Sequence, residues 1–180
     1  MSHPAVTRLR QLLAPPGSGG DAVDWDEVER SSGLVLPADY REFVEVYGGG
    51  EIDEYLSVST PPVPGSPYGD LLERKDPALP EQDRERICAV LRRDVLPPLL
   101  PFADTASGDV AFWVREGEPD GWRVLVFRRQ TPYGTDRWTL FDRGMADFCG
   151  AALTGEVNPF SERLPVGDRQ HEFAGWRGAA

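Results

Sequence analysis

A hydrolytic serine needs Gly-x-Ser-x-Gly on a sharp strand-to-helix turn. The nearest string is Gly65-Ser66-Pro67-Tyr68-Gly69, where the serine directly follows the first glycine and Pro61, Pro62, Pro64 and Pro67 crowd the backbone. Spacing and local structure are both wrong for a nucleophile. A histidine base has to be His3 or His171; both lie in terminal segments read here as mobile, and a catalytic base must be held rigidly. Those two histidines with Cys88 and Cys149 give none of the paired spacings that bind zinc. Gly48-Gly49-Gly50 is rich enough in glycine to cradle a phosphate, but it follows a helical pattern, whereas phosphate loops follow a strand and open a helix. A helix stop is the better reading. The acid pairs Glu51 with Asp53 and Asp104 with Asp109 lack the repeated ligand spacing of a calcium loop. The expectation is therefore a chain with no catalytic residue, no metal and no cofactor.

The elements that would position these residues follow from periodicity. Residues 4 to 14 read as a short helix through Val6, Leu9, Leu12 and Leu13, followed by a flexible linker, Pro15 to Gly20. Asp24 reads as a helix N-cap with Glu27 three residues on and Val23 and Val28 as a hydrophobic staple, and Gly33 as the stop. Pro37 suits the first turn of a second helix whose Tyr40, Phe43, Val44 and Tyr47 fall at i, i+3, i+4 and i+7. A strand is expected from Glu54 to Val58, then an exposed Pro-rich loop, then a helix from Glu81 to Arg93. Runs at Leu99 to Phe102, Val110 to Val114, Trp122 to Phe127 and Arg137 to Phe141 read as an antiparallel meander. Met145, Phe148, Cys149, Ala152 and Leu153 form a last helix ending at Gly155, and the tail from Asn158 reads as irregular. The whole is an α+β fold, an antiparallel sheet flanked by helices, with Trp25, Tyr40, Phe43 and Phe148 in the core. The division expected is 1–20 helix and linker, 21–155 one domain, 156–180 tail.

Composition narrows the function class. The 180 residues carry a net charge of −11, and residues 21 to 60 hold eleven acids against Arg30 and Arg41, a net of −9. Nucleic-acid affinity comes from Lys and Arg neutralising phosphates, so this chain is expected not to bind nucleic acid; a basic protein partner, steered by long-range charge, fits better. Two cysteines are too few to staple a secreted fold, no apolar run reaches membrane length, and no signal-peptide core follows Arg8 and Arg10, so a cytoplasmic location without membrane contact is expected. Asp24, Asp26, Glu27, Asp39 and Glu42 lie in first helical turns, where negative charge complements the helix dipole without any partner. Glu51, Asp53 and Glu54, beside Tyr55, follow the triple glycine and read either as a protein-contact loop or as an ordinary solvated charge run.

Trp25, Val28, Glu29, Gly33, Leu36, Pro37, Asp39, Tyr40, Phe43 and Tyr47 to Gly50 together resemble the signature of the SUKH superfamily. Leu100 to Ala103, the Gly108-Asp109 turn, and the helix bearing Met145, Phe148 and Leu153 resemble its later landmarks, so the resemblance spans roughly residues 21 to 155. It implies an α+β fold, no catalytic residues and, for many bacterial members, a role as an immunity protein that neutralises a toxin, often a nuclease. Other members are regulatory or scaffold proteins. The leading expectation is an immunity-type inhibitor whose toxin-facing surface includes Glu51, Asp53, Glu54 and Tyr55, joined by Asp104 and Asp109. A regulatory binding module is the alternative, and a small-molecule domain would require a pocket with convergent polar groups.

Overall fold

The computed structural model describes residues 2–166 and 170–178. Helices α1 (Pro4–Leu12), α2 (Trp25–Ser32), α3 (Ala38–Val46), α4 (Glu81–Leu91) and α5 (Met145–Leu153) surround a sheet of β1 (Gly50–Ile52), β2 (Leu56–Val58), β3 (Leu99–Thr105), β4 (Val110–Val114), β5 (Arg123–Phe127), β6 (Trp138–Phe141) and β7 (Phe173–Gly175). The sheet order is β6-β5-β4-β3-β2-β1-β7, antiparallel throughout. The fold is α+β, and six of its strands form a meander in sequence order; the turn spacing predicts its β3–β6 part.

Strand alternation divides the interior into two layers. Ala111, Trp113, Val124 and Val126 face the main core with α1, α3 and α5, while Phe112, Val114 and Leu125 face a smaller core under α4, with Ile87, Leu91 and Trp138. A bulge between Pro101 and Ala103 interrupts the β3–β4 ladder, so that both Phe102 and Ala103 reach the main core. Trp113 joins the layers of that core, stacked on Phe102 at 4.4 Å and edge-on to Tyr40 at 4.8 Å. Tyr40, Phe43 and Phe148 are fully buried as expected; Trp25 is half-buried, packed edge-on to Tyr40 at the core margin.

Four readings of the sequence need correction. The strand expected from Glu54 begins at Leu56, and a further strand, β1, precedes it; the two form a hairpin whose turn holds Asp53 and Glu54 at φ +53° and +56°. Gly50 shows why β1 escapes notice: a glycine run is a poor strand signal, yet a Cβ there would overlap Ala174 and sit 2.8 Å from the Phe173 ring. The Pro15–Gly20 segment is not a loose tether, because α1 buries Val6 and Leu9 in the main core and Gly20 is pressed against the backbone of α3. The Pro-rich stretch is only partly exposed, since Thr60 and Leu71 are buried and Tyr68 lies over Gly49. The tail read as irregular buries Phe160, Leu164 and Phe173 and supplies β7.

Candidate protein-binding surface

The residues expected to face a partner divide sharply once placed. Asp109 is fully buried at the end of the β3–β4 turn. It accepts hydrogen bonds from the backbone N–H of Arg129 (2.9 Å) and Ser161 (2.8 Å), the Thr105 hydroxyl (3.1 Å) and the Tyr55 hydroxyl (3.3 Å), with the Ser161 hydroxyl also donating to it. Burial alone would raise its carboxyl, but these bonds, led by those from Ser161, outweigh burial and hold it below the usual carboxylate range. Asp53 has a side chain only 3% exposed; it meets His171 Nδ1 at 2.7 Å and the Glu172 N–H at 3.0 Å. Neither carboxylate is free to meet a partner in this conformation.

Tyr55 is half-buried, its hydroxyl shared between Asp109 and the Glu162 N–H and its ring against Phe160. Glu51, Ser57 and Asp104 form one row across β1, β2 and β3. The Pro-rich segment engages this row: Tyr68 and Ser57 donate to Glu51 at 3.4 and 3.2 Å, and Arg74 pairs with Asp104 at 2.8 Å and Asp70 at 3.0 Å. Of the six expected contact residues only Glu54, at the hairpin tip, is plainly exposed. The structure thus brings Tyr55 and Asp109 together, aligns Glu51 with Asp104, and leaves Glu54 apart.

Other acids of the charged stretch are also engaged internally. Asp39 is buried and caps α5 across the interior, accepting from the Ala146 N–H at 2.9 Å as well as from the Tyr40 N–H at 2.8 Å; burial raises its carboxyl in spite of both bonds. Asp21 is buried and accepts from the Gly49 N–H (2.8 Å), Trp176 Nε1 (3.0 Å) and the Arg177 guanidinium (2.8 Å). Apart from Glu54 and Glu45, the plainly exposed acids of the stretch lie at α2. Asp24 caps that helix through the Glu27 N–H, and Asp24, Asp26, Glu27 and Glu29 are all exposed. Glu45 of α3 stands beside them, accepting from Trp25 Nε1 at 3.0 Å, and Val35 is 41% exposed on the same rim. Among the described residues Glu27 alone of these α2 acids has an ion-pair partner, Arg30. Sequence reasoning assigned this helix to capping and solvation; its period does show the outward face, but only the fold shows how few other acids stay outside.

The chemistry-bearing residues have structural places. His3 accepts the Ala5 N–H at the start of α1, and His171 lies between Asp53 and the Leu153 carbonyl, so both are hydrogen-bonded where loose segments were expected. Cys149 is buried, which pushes its thiol up to about 12. Among the described residues no group of His, Cys, Asp and Glu is arranged to hold a metal ion. Of the clefts, one of about 350 Å³ is lined by α1 and α5, and its charged residues include the pairs Arg8–Asp147 (2.7 Å) and Arg143–Glu156 (2.9 Å). No helix among the described residues is long and apolar enough to cross a membrane.

Compared with known families, the chain matches the SMI1 / KNR4 family (SUKH-1) over residues 19–148. That span runs from the end of the α1 linker into α5, so it includes α2 and β1 to β6 and leaves α1 and β7 outside. No curated relative and no solved structure matches the chain.

Proposed function

The chain belongs to the SMI1 / KNR4 family (SUKH-1), and on that premise we propose that it works by binding a basic protein partner and not by catalysis, as an immunity-type inhibitor of a toxin. One observation carries this reading: α2 presents Asp24, Asp26, Glu27 and Glu29 to solvent beside Glu45, a negative face with an apolar rim at Val35. Charge held at the surface steers encounter with a partner of opposite sign, and a toxin that grips phosphates with Lys and Arg offers such a surface. The proposed contact moves from the β1–β2 turn to α2, with Glu54 at its margin. We place its action in the cytoplasm, where Cys88 and Cys149 would remain reduced.

The test uses a partner isolated by pull-down and measured by stopped-flow. Asp26→Asn, Glu27→Gln and Glu29→Gln together should slow association several-fold at low salt, with the difference shrinking near physiological ionic strength, where the screening length is about 8 Å. Amides at Glu51, Glu54 and Asp104 should slow it less. A larger effect from this second set would return the interface to the hairpin face, and no effect from either would end the steering proposal. Nuclease or esterase turnover by the purified protein, lost with a single acid-to-amide change, would overturn the non-catalytic reading.

A further inference from the structure

Residues 160–166 and 170–177 are bound to the rest of the molecule as a peptide ligand is bound to a receptor. β7 extends the sheet at β1, pairing Ile52 with Phe173, Glu51 with Ala174 and Gly50 with Gly175. The Phe173 ring fills a pocket between Phe43 (5.9 Å) and Tyr47 (5.2 Å). Three buried carboxylates clamp the segment along its length: Asp109 takes Ser161, Asp53 takes His171 and the Glu172 N–H, and Asp21 takes Trp176 and Arg177. Gly50 leaves the space in which Ala174 and Phe173 lie. The family match ends at residue 148, so this segment lies outside the matched domain, at what would otherwise be the β1 edge of its sheet.

Strand addition at a sheet edge takes affinity from main-chain bonds and specificity from pockets that receive alternate side chains. Here the alternation is visible: Phe173 goes inward to the pocket while Glu172 and Ala174 stay exposed. We propose that the β1 edge, with the Phe43–Tyr47 pocket and the carboxylates of Asp53 and Asp21, is a peptide-binding groove that the chain's own tail occupies as an autoinhibitory strap. Its other occupant is an extended segment of the basic partner, with an aromatic residue for the pocket, a hydrogen-bond donor two residues before it and a cation four residues after it. The two carboxylates supply the complementary charge, and the tail itself, His171 to Arg177, is the template for that pattern. This deepens the protein-binding reading given above and rests on it.

Two measurements on the full chain test the groove. In native-state hydrogen exchange, the β7 amides should exchange at least tenfold faster than those of β4 and α5, through an opening that leaves the core closed. A fluorescent peptide with the sequence of residues 170–178 should bind the Phe173→Ala chain at least tenfold more tightly than wild type, because the weakened strap no longer competes. Trp176→Ala, at the half-buried end of the strap, is the milder release if Phe173→Ala does not fold. Adding Gly50→Val to either should abolish peptide binding. Exchange of β7 in step with the core, or no peptide binding to a release variant that keeps its native circular dichroism, overturns the proposal. The amide substitutions on α2 would still slow partner association in that case, so failure of the groove and failure of the steering face are separable.

Discussion

Two regions of the molecule are rich in acids and use them in opposite ways. On α2 the acids fall on the outward side of a 3.6-residue period, with Val28 inward, and they stay exposed among the described residues. Around the β1–β2 hairpin and the β3–β4 turn, the tail passes over the acids and turns Asp53 and Asp109 into interior acceptors. A local count of charge cannot separate these cases. Exposure of a carboxylate depends on which other segment crosses it, and a segment that brings N–H donors can draw the acid inside without loss of ionisation.

The largest expected effect removes what both regions share. Phe43 is fully buried on α3, stacked on Tyr47 at 4.7 Å and in contact with the tail through Phe173. Phe43→Ala should cost about 3 to 5 kcal/mol in denaturant unfolding. A melt unchanged by it would remove the α3 core assignment and the strap pocket together.

Asp109→Ala comes next, because it strands donors from the β3–β4 turn, the β5–β6 connection and the tail at once. Buried donors left unpaired cost about 1 to 3 kcal/mol each before relaxation, so a loss of about 3 kcal/mol is expected. Glu54→Ala, on the neighbouring hairpin tip, should change stability by less than about 0.5 kcal/mol. Equal effects would show that Asp109 is not the hub that its contacts make it.

Much of the fold was legible because period and punctuation agreed. Asp24 and Gly33 bound α2 as cap and left-handed stop, and the meander from β3 to β6 followed its turns. The strand β1 was not legible, since Gly50 is there for Phe173, 123 residues away in the chain, and no local rule carries that contact. Glu51, Asp53 and Glu54, chosen as contacts from the sequence, are acids after a glycine run, a pattern shared by exposed loops and by sites awaiting a distant donor. Ser161 and Trp176 gave no signal, and His171 gave one only as a candidate base, because each matters through an acid that the fold brings to it.

The buried acids themselves should part company with pH. Asp109, held below the usual range, contributes stability that is present above the unfolded carboxylate value of about 3.9 and is lost as pH falls through its lower folded value. Asp39, raised by burial, works the other way: the fold favours its protonated form, so acidification from neutrality toward about 3.9 strengthens its contribution. Asp109→Asn should therefore lose less stability than wild type below that value, and Asp39→Asn should lose more than wild type above it. Urea midpoints measured from pH 6 to pH 3 check both signs, and a common slope for the two variants would contradict the opposed environments.

The smallest expected effect belongs to α2, and its smallness is the point. Asp26 and Glu29 are exposed and have no ion-pair partner among the described residues, so Asp26→Asn with Glu29→Gln removes charge without breaking a bond. Leaving Asp24 in place preserves the cap on the Glu27 N–H. Stability should move by less than about 0.5 kcal/mol, and upward at low salt if mutual repulsion among Asp24, Asp26, Glu27 and Glu29 is felt. Screening should erase that gain as ionic strength rises. Thermal melts of the variant and wild type in low and high salt decide the matter. A loss above about 1 kcal/mol would mean that these acids hold the fold together, as those of the hairpin region do, and the contrast between the two regions would fail.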